Sequence, residues 1–214
     1  MIIAVDPGAN GALAIYDEPS RRVTAVNTPA TRGDAIELLS RLATPLPNHD
    51  VLYVEKINGF IAAAGAGQMF QFGVQVERIP CIAQTLGFRI VEVPPQKWQK
   101  ALGLGNIGTV RAPANADAEA RAKIRQANAA AKRDWKNKLK AEAQRRFPGI
   151  RVTLHNADAV LLLEYALMVE KQTLHTTVPT TVSPSSVSAD RPSSPPPKSG
   201  PDGDTVVGTQ QWLG

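Results

Sequence analysis

The chain has 214 residues and one cysteine, Cys81, so an internal disulfide is excluded and the fold does not depend on an oxidising compartment. Hydrophobic residues make up 43% and charged residues 20% of the chain, the balance of a soluble globular domain with a sizeable core. No apolar run reaches the length of a membrane span, and the opening MIIAVDPG has no basic stretch ahead of an apolar one, so it does not read as a signal peptide. The expectation is a soluble intracellular, cytoplasmic protein of phage or bacterial context, with an organelle left open.

In chain order, residues 1–6 are apolar and β-branched and end in Asp6. Pro7-Gly8 and Asn10-Gly11 are turn signals before a second short strand over 11–17, and 22–28 alternates as a third, giving an antiparallel meander. Residues 33–43 carry apolar side chains at helical spacing and stop before Pro45 and Pro47. VLYVEK (51–56) reads as a buried strand ending in Glu55. Residues 68–87 read as a helix that Pro80 must kink or split and that Gly87 closes. FRIVEVP (88–94) is a further strand, and 94–104 a short helix with a proline start.

Residues 114–147 are an alanine-rich, charged helix ended by Pro148-Gly149, and 156–171 are apolar nearly all round, the mark of a helix buried against a sheet. The order βββαβαβα indicates an α/β fold with a mixed sheet. From about residue 172 Pro, Ser and Thr dominate, so the expected division is a folded domain over 1–171 and a disordered tail over 172–214. The closing VVGTQQWLG could dock a partner protein, although an unused chain end is the simpler reading.

The net charge of +5 is unevenly spread. Residues 1–110 are neutral, with nine basic and nine acidic side chains, whereas 111–151 carry twelve basic against four acidic. A basic excess confined to one segment suits a polyanion-binding face, and equally a solvated lysine-rich helix.

Asp6 and Glu55 end apolar strands, and Asp158 sits in the first turn of the most apolar helix, three residues after His155. If the helix includes both, that spacing puts His155 and Asp158 on one face. Singly, each has an ordinary explanation: a turn former, an ion pair of Glu55 with Lys56, a charge at a helix N-terminus. Together they suggest a metal site, because buried carboxylates are costly unless paired or bound to a cation. Oxygen ligands with at most one imidazole suit Mg²⁺, with Mn²⁺ able to substitute, better than zinc.

These segments resemble the RuvC-like Holliday-junction resolvases of the RNase H-like superfamily. IIAVDPGANGALAIYD is similar to the family's first hairpin, VLYVEK to its second acidic strand, and HNADAVLLLEYA to its C-terminal metal-binding helix. FRIVEVPPQKWQKALGL and KLKAEAQRRFPG also match, more closely to phage and plant-organelle members.

The resemblance implies an RNase H-like five-stranded mixed sheet flanked by helices, and a dimeric, Mg²⁺-dependent endonuclease that nicks four-way DNA junctions. By position, Asp6, Glu55, His155 and Asp158 would bind the metal, although many relatives have an acidic residue in place of His155. Lys100, Lys136 and Lys138 are candidates to hold the scissile phosphate, as lysines do in relatives. The alanine-rich stretch 105–131 looks like an insertion, and with the helix that follows it forms a basic region over 105–147. Its Lys132, Arg133, Lys136 and Lys138 could track a DNA backbone without sequence specificity.

Phe60 would stack at the crossover. Phe70 and Phe72 read rather as core aromatics of the helix over 68–87, which is the candidate homodimer interface. A less selective branched-DNA debranching nuclease and a catalytically inactive junction-binding module are the alternatives.

Overall fold

The computed structural model describes residues 1–8, 11–45, 49–57 and 65–176. Phe60, Asn10, Pro47 and the tail from residue 177 lie outside the described residues.

The strands are β1 (Ile2–Asp6), β2 (Ala12–Asp17), β3 (Arg22–Asn27), β4 (Val51–Glu55) and β5 (Arg89–Val93). The helices are α1 (Arg32–Leu42), α2 (Ala66–Thr85), α3 (Pro95–Ala101), α4 (Ala118–Arg146) and α5 (Ala157–Thr176). One five-stranded sheet has the order β3-β2-β1-β4-β5. β1, β2 and β3 pair antiparallel, while β4 pairs parallel to β1 and β5 parallel to β4. A three-stranded meander continued by two parallel crossovers, with helices on both faces, is the RNase H-like fold.

Side-chain alternation along each strand assigns the two faces. Ile3, Val5, Leu13, Ile15, Leu52 and Val54 face α1 and α2, joining Ala35, Leu39, Ile79 and Ala83 in one core. Ala4, Ala12, Ala14, Val51, Tyr53 and Val93 face α3, α4 and α5 in a second core built on Trp98, Leu139 and the apolar body of α5. Three alanines on that face leave room for α5 to lie close to the sheet. Burial of Val160 through Leu163 all round the helix explains why that segment lacks a polar stripe.

The same alternation aims two carboxylates. Asp6 falls two residues after Ala4 and Glu55 two after Tyr53, so both project to the α5 face. Val5 pairs with Val54, which leaves Asp6 and Glu55 one step further along adjacent parallel strands, where neighbouring chains run about 4.8 Å apart.

α2 is a single helix with Pro80 inside it, not two. Proline's missing N–H costs one hydrogen bond there, and Pro80 is itself buried against the core. The helix closes as its sequence suggests: the Gly87 N–H donates to Gln84 O and the Phe88 N–H to Ala83 O, with Gly87 at φ 88°. α5 runs on to Thr176, past the point where the composition changes. Phe70 and Phe72 are not core aromatics: Phe70 is 68% exposed and Phe72 belongs to neither core. The amino-terminal part of α2 extends beyond the sheet residues that bury Ile79 and Ala83.

Gly11 is required where β2 begins. A Cβ there would fall 2.0 Å from the Asp6 carbonyl oxygen, a backbone atom that cannot move aside. Gly11→Ala is expected to cost about 3 kcal/mol or more in urea unfolding, and an unchanged midpoint would show that the Asp6 hairpin is not built this tightly.

Candidate active site

Asp158 lies in the first turn of α5, where the helix dipole favours a carboxylate. The turn leading into the helix is stitched by local bonds. Asn156 Oδ1 accepts from the Thr153 N–H at 2.7 Å, and Thr153 Oγ1 accepts from the backbone N–H of His155 and of Asn156, each at 3.3 Å. Asp158 is 8% exposed, and its Oδ1 is buried without a hydrogen-bond partner among the described residues. A buried, unpaired carboxylate oxygen is expensive and calls for a cation.

Lys136 of α4 supplies one, its ammonium ion-pairing with Asp158 Oδ2. α4 is seated on α5 by Arg146, which donates to Glu164 Oε1 at 2.9 Å and to the Leu102 carbonyl at 2.9 Å. Gln144 ties down the connection between the helices, accepting from the Val152 N–H at 3.1 Å and donating to the Ile150 carbonyl at 2.9 Å. Lys136 flanks the stripe of Trp135, Leu139 and Ala143 by which α4 meets the core.

Asp6 and Glu55 complete the cluster. Asp6 is pushed up to about 7, by burial first and then by the negative charge of Asp158, with Lys136 opposing. Glu55 is raised to about 8 by burial, then by Asp6 and Asp158, while a hydrogen bond from Trp98 and the Lys136 charge pull the other way. Burial lowers Lys136, but its ion pair with Asp158 and the charges of Asp6 and Glu55 outweigh that, so it is raised overall. These mutual effects place three carboxylates and one ammonium within electrostatic reach.

Trp98, fully buried, donates from Nε1 to Glu55 Oε2 at 3.2 Å, a contact the sequence reading missed. The indole fixes one oxygen of Glu55. The expected pairing of Glu55 with Lys56 gives way to a Lys56–Glu92 ion pair at 2.8 Å.

The remaining candidates fall differently. α5 begins at Ala157, so His155 is in the preceding turn and does not share a helical face with Asp158. Its exposed ring nevertheless lines a groove of ≈400 Å³ together with Asp6, Gly8, Arg133 and Lys136. Lys138 points elsewhere: it donates to the Leu104 carbonyl at 2.7 Å and lies 5.3 Å from the centre of the Trp135 ring. Lys100 and Lys132 are exposed on α3 and α4. Of the three lysines suggested for the scissile phosphate, only Lys136 touches the carboxylates.

The oxygen-only donors and the unpartnered Asp158 Oδ1 suit a hard divalent cation. Among the described residues, though, no three His, Cys, Asp or Glu side chains are grouped to hold an ion as they stand. The positive charge within the cluster is the ammonium of Lys136.

The fold and this cluster together define a carboxylate-centred site on an RNase H-like sheet. No protein-family model and no curated protein matches the chain in sequence. Among solved structures, Thermus thermophilus RuvC is similar at 14% identity and a TM-score of 0.45, covering 80% of this chain and 96% of that one. T. thermophilus RuvC in complex with a Holliday junction substrate is similar at 13% identity and a TM-score of 0.46, with the same coverage.

The raised carboxyls set a pH dependence in metal-free protein. A folded-state pKa above the unfolded one stabilises at low pH, and that contribution is lost as pH climbs from the ordinary carboxylate value through the folded one, about 7 for Asp6 and about 8 for Glu55. Asp6→Asn and Glu55→Gln should therefore raise the Tm at pH 8 by roughly 2–8 °C, a gain of about 1–2 kcal/mol, and the advantage should shrink toward pH 5. Thermal unfolding in EDTA checks this, and equal Tm values at pH 8 would contradict the crowding.

Proposed function

We propose that the chain is a structure-selective endonuclease that resolves four-way (Holliday) DNA junctions by Mg²⁺-dependent phosphodiester hydrolysis. The observation that carries this reading is the Lys136–Asp158 ion pair on the sheet face to which Asp6 and Glu55 project from adjacent strand ends, with Asp6 and Lys136 lining an open groove. Asp6, Glu55 and Asp158 would hold the ion, with His155 at the groove's rim as a further ligand. The chemistry such an ion supplies when bound is activation of water for in-line attack and stabilisation of the leaving 3′ oxygen.

The chain's own residues do the rest. Trp98 orients Glu55, and the α5 amino terminus fixes Asp158. Arg133 and Lys136, three residues apart on α4 and both lining the groove, receive the scissile phosphate.

The DNA has a second surface to follow. α4 is 29 residues long, about 44 Å, and its buried residues, Leu139 and Ala143, lie in its carboxy-terminal half. The other half is braced by the segment before it: Asn128 exchanges two hydrogen bonds with the Val110 backbone at 2.9 and 2.8 Å, and Arg121 reaches the carbonyls of Ala114 and Ala116. The result is a basic arm leading away from the site, and Lys132 lies on it within reach of a phosphate backbone.

Symmetric cutting needs a homodimer, and the exposed Phe70 and Val74 of α2 supply an apolar face for one. We propose a nuclease domain over 1–171. We also propose a kinship with the phage and plant-organelle resolvases, for which the residue likeness of FRIVEVPPQKWQKALGL and KLKAEAQRRFPG is the support.

The deciding experiment is cleavage of a synthetic four-way junction with Mg²⁺. Wild-type protein should nick opposed strands symmetrically, and Asp6→Asn should cut at least roughly 10²-fold more slowly, a loss of about 2.7 kcal/mol of transition-state stabilisation. Equal cutting of flaps, forks and junctions would instead indicate a general debranching nuclease. Junction binding without any cutting would indicate a binding module.

Independently, Lys132→Ala should weaken junction binding about equally for all sequences and reduce the slope of log affinity against log salt by about 1. An unchanged slope in a filter-binding titration would remove that lysine from the DNA path.

A further inference from the structure

Three negative side chains and one positive one share the site, and the positive one belongs to the protein. The Lys136 side chain is 47% exposed, so its stem is not locked in the core, whereas the Asp158 side chain it grips is 11% exposed. One oxygen of Asp158 takes the ammonium and the other is buried with no partner among the described residues. The carboxylate is thus half satisfied, by a group that can leave.

We propose that Lys136 is an internal counter-cation that competes with the divalent ion for Asp158, offsetting part of the negative charge of the metal-free site and lowering its affinity for metal. This rests on the reading of Asp6, Glu55 and Asp158 as the metal-binding set. The competition follows from charge. An ion approaching Asp158 meets the Lys136 ammonium at ion-pair distance from the same carboxylate, and both cannot use Oδ2 at full strength. Metal binding therefore includes breaking the lysine contact, and the observed affinity is the intrinsic one reduced by that competition.

Release also has a destination. Lys136 and Arg133 both line the groove in which a DNA phosphate would lie, and an ammonium withdrawn from Asp158 is placed to meet it. The residue thereby alternates between pairing with Asp158 and receiving substrate.

The test is Mg²⁺ binding by the full-length chain, measured by isothermal titration with no DNA present. Lys136→Ala should bind Mg²⁺ roughly tenfold more tightly than wild type, and Lys136→Arg, which keeps the charge, should stay near the wild-type affinity. In an Asp158→Asn background the gain from Lys136→Ala should vanish, which a general change in surface charge would not produce. Should Lys136→Ala fail to fold cooperatively, Lys136→Met keeps the apolar stem and carries the same expectation.

If the alanine or methionine variant binds Mg²⁺ no more tightly than wild type, the competition is refuted while the metal site stands. If neither wild type nor variant binds Mg²⁺ at tens of millimolar, the metal-dependent reading falls with it.

Discussion

The site is organised by electrostatic repulsion that the fold imposes and only partly relieves. Packing α5 onto an alanine-lined sheet face brings Asp158 to the ends of β1 and β4, where Asp6 and Glu55 already project to the same side. Burial first, and then the neighbouring carboxylates, raise the cost of ionising Asp6 and Glu55. A single ammonium, that of Lys136, offsets part of that cost. The rest of the architecture can be read as the means of holding this arrangement together. Arg146 and Gln144 lock α4 and its connection to α5, Trp98 pins Glu55, and Gly11 lets the β1–β2 hairpin close beside Asp6.

The division of labour between the sheet's two faces follows from period-two alternation. The face toward α1 and α2 is an apolar core, aliphatic apart from Phe88. The face toward α3, α4 and α5 carries the aromatic and acidic residues. Asp6 and Glu55 stand at strand ends on this second face, where burial makes the ionised form of each costly.

Much of this was legible from residue order. Asp6 and Glu55 stood out because each ends a run of apolar side chains, but putting them on one face needed the register of β1 against β4. Asp158 stood out as an acid at the head of an apolar helix. The antiparallel meander and the mixed sheet followed from tight turns early in the chain and helices between the later strands, whereas the strand order came from the structure.

What remained hidden depended on which side of α4 meets the core. Lys136 is one of many basic residues in that segment, and nothing in its immediate neighbours separates it from Lys138. The discriminating signal was the spacing of Trp135, Leu139 and Ala143, which marks the buried stripe and leaves Lys136 beside it. Trp98 was hidden for a different reason, since a tryptophan in a short helix reads as core until its N–H is seen to need an acceptor. The exposure of Phe70 reflects a helix longer than the sheet it covers, a length mismatch that hydrophobic periodicity does not register.

The alanines at positions 4, 12 and 14 have a consequence beyond economy of space. They act as a spacer gauge: their single methyl groups set how near α5 can approach, and therefore how far the Asp158 oxygen stands from those of Asp6 and Glu55. Exchanging one of them for valine or leucine would leave every charged residue in place yet widen that gap.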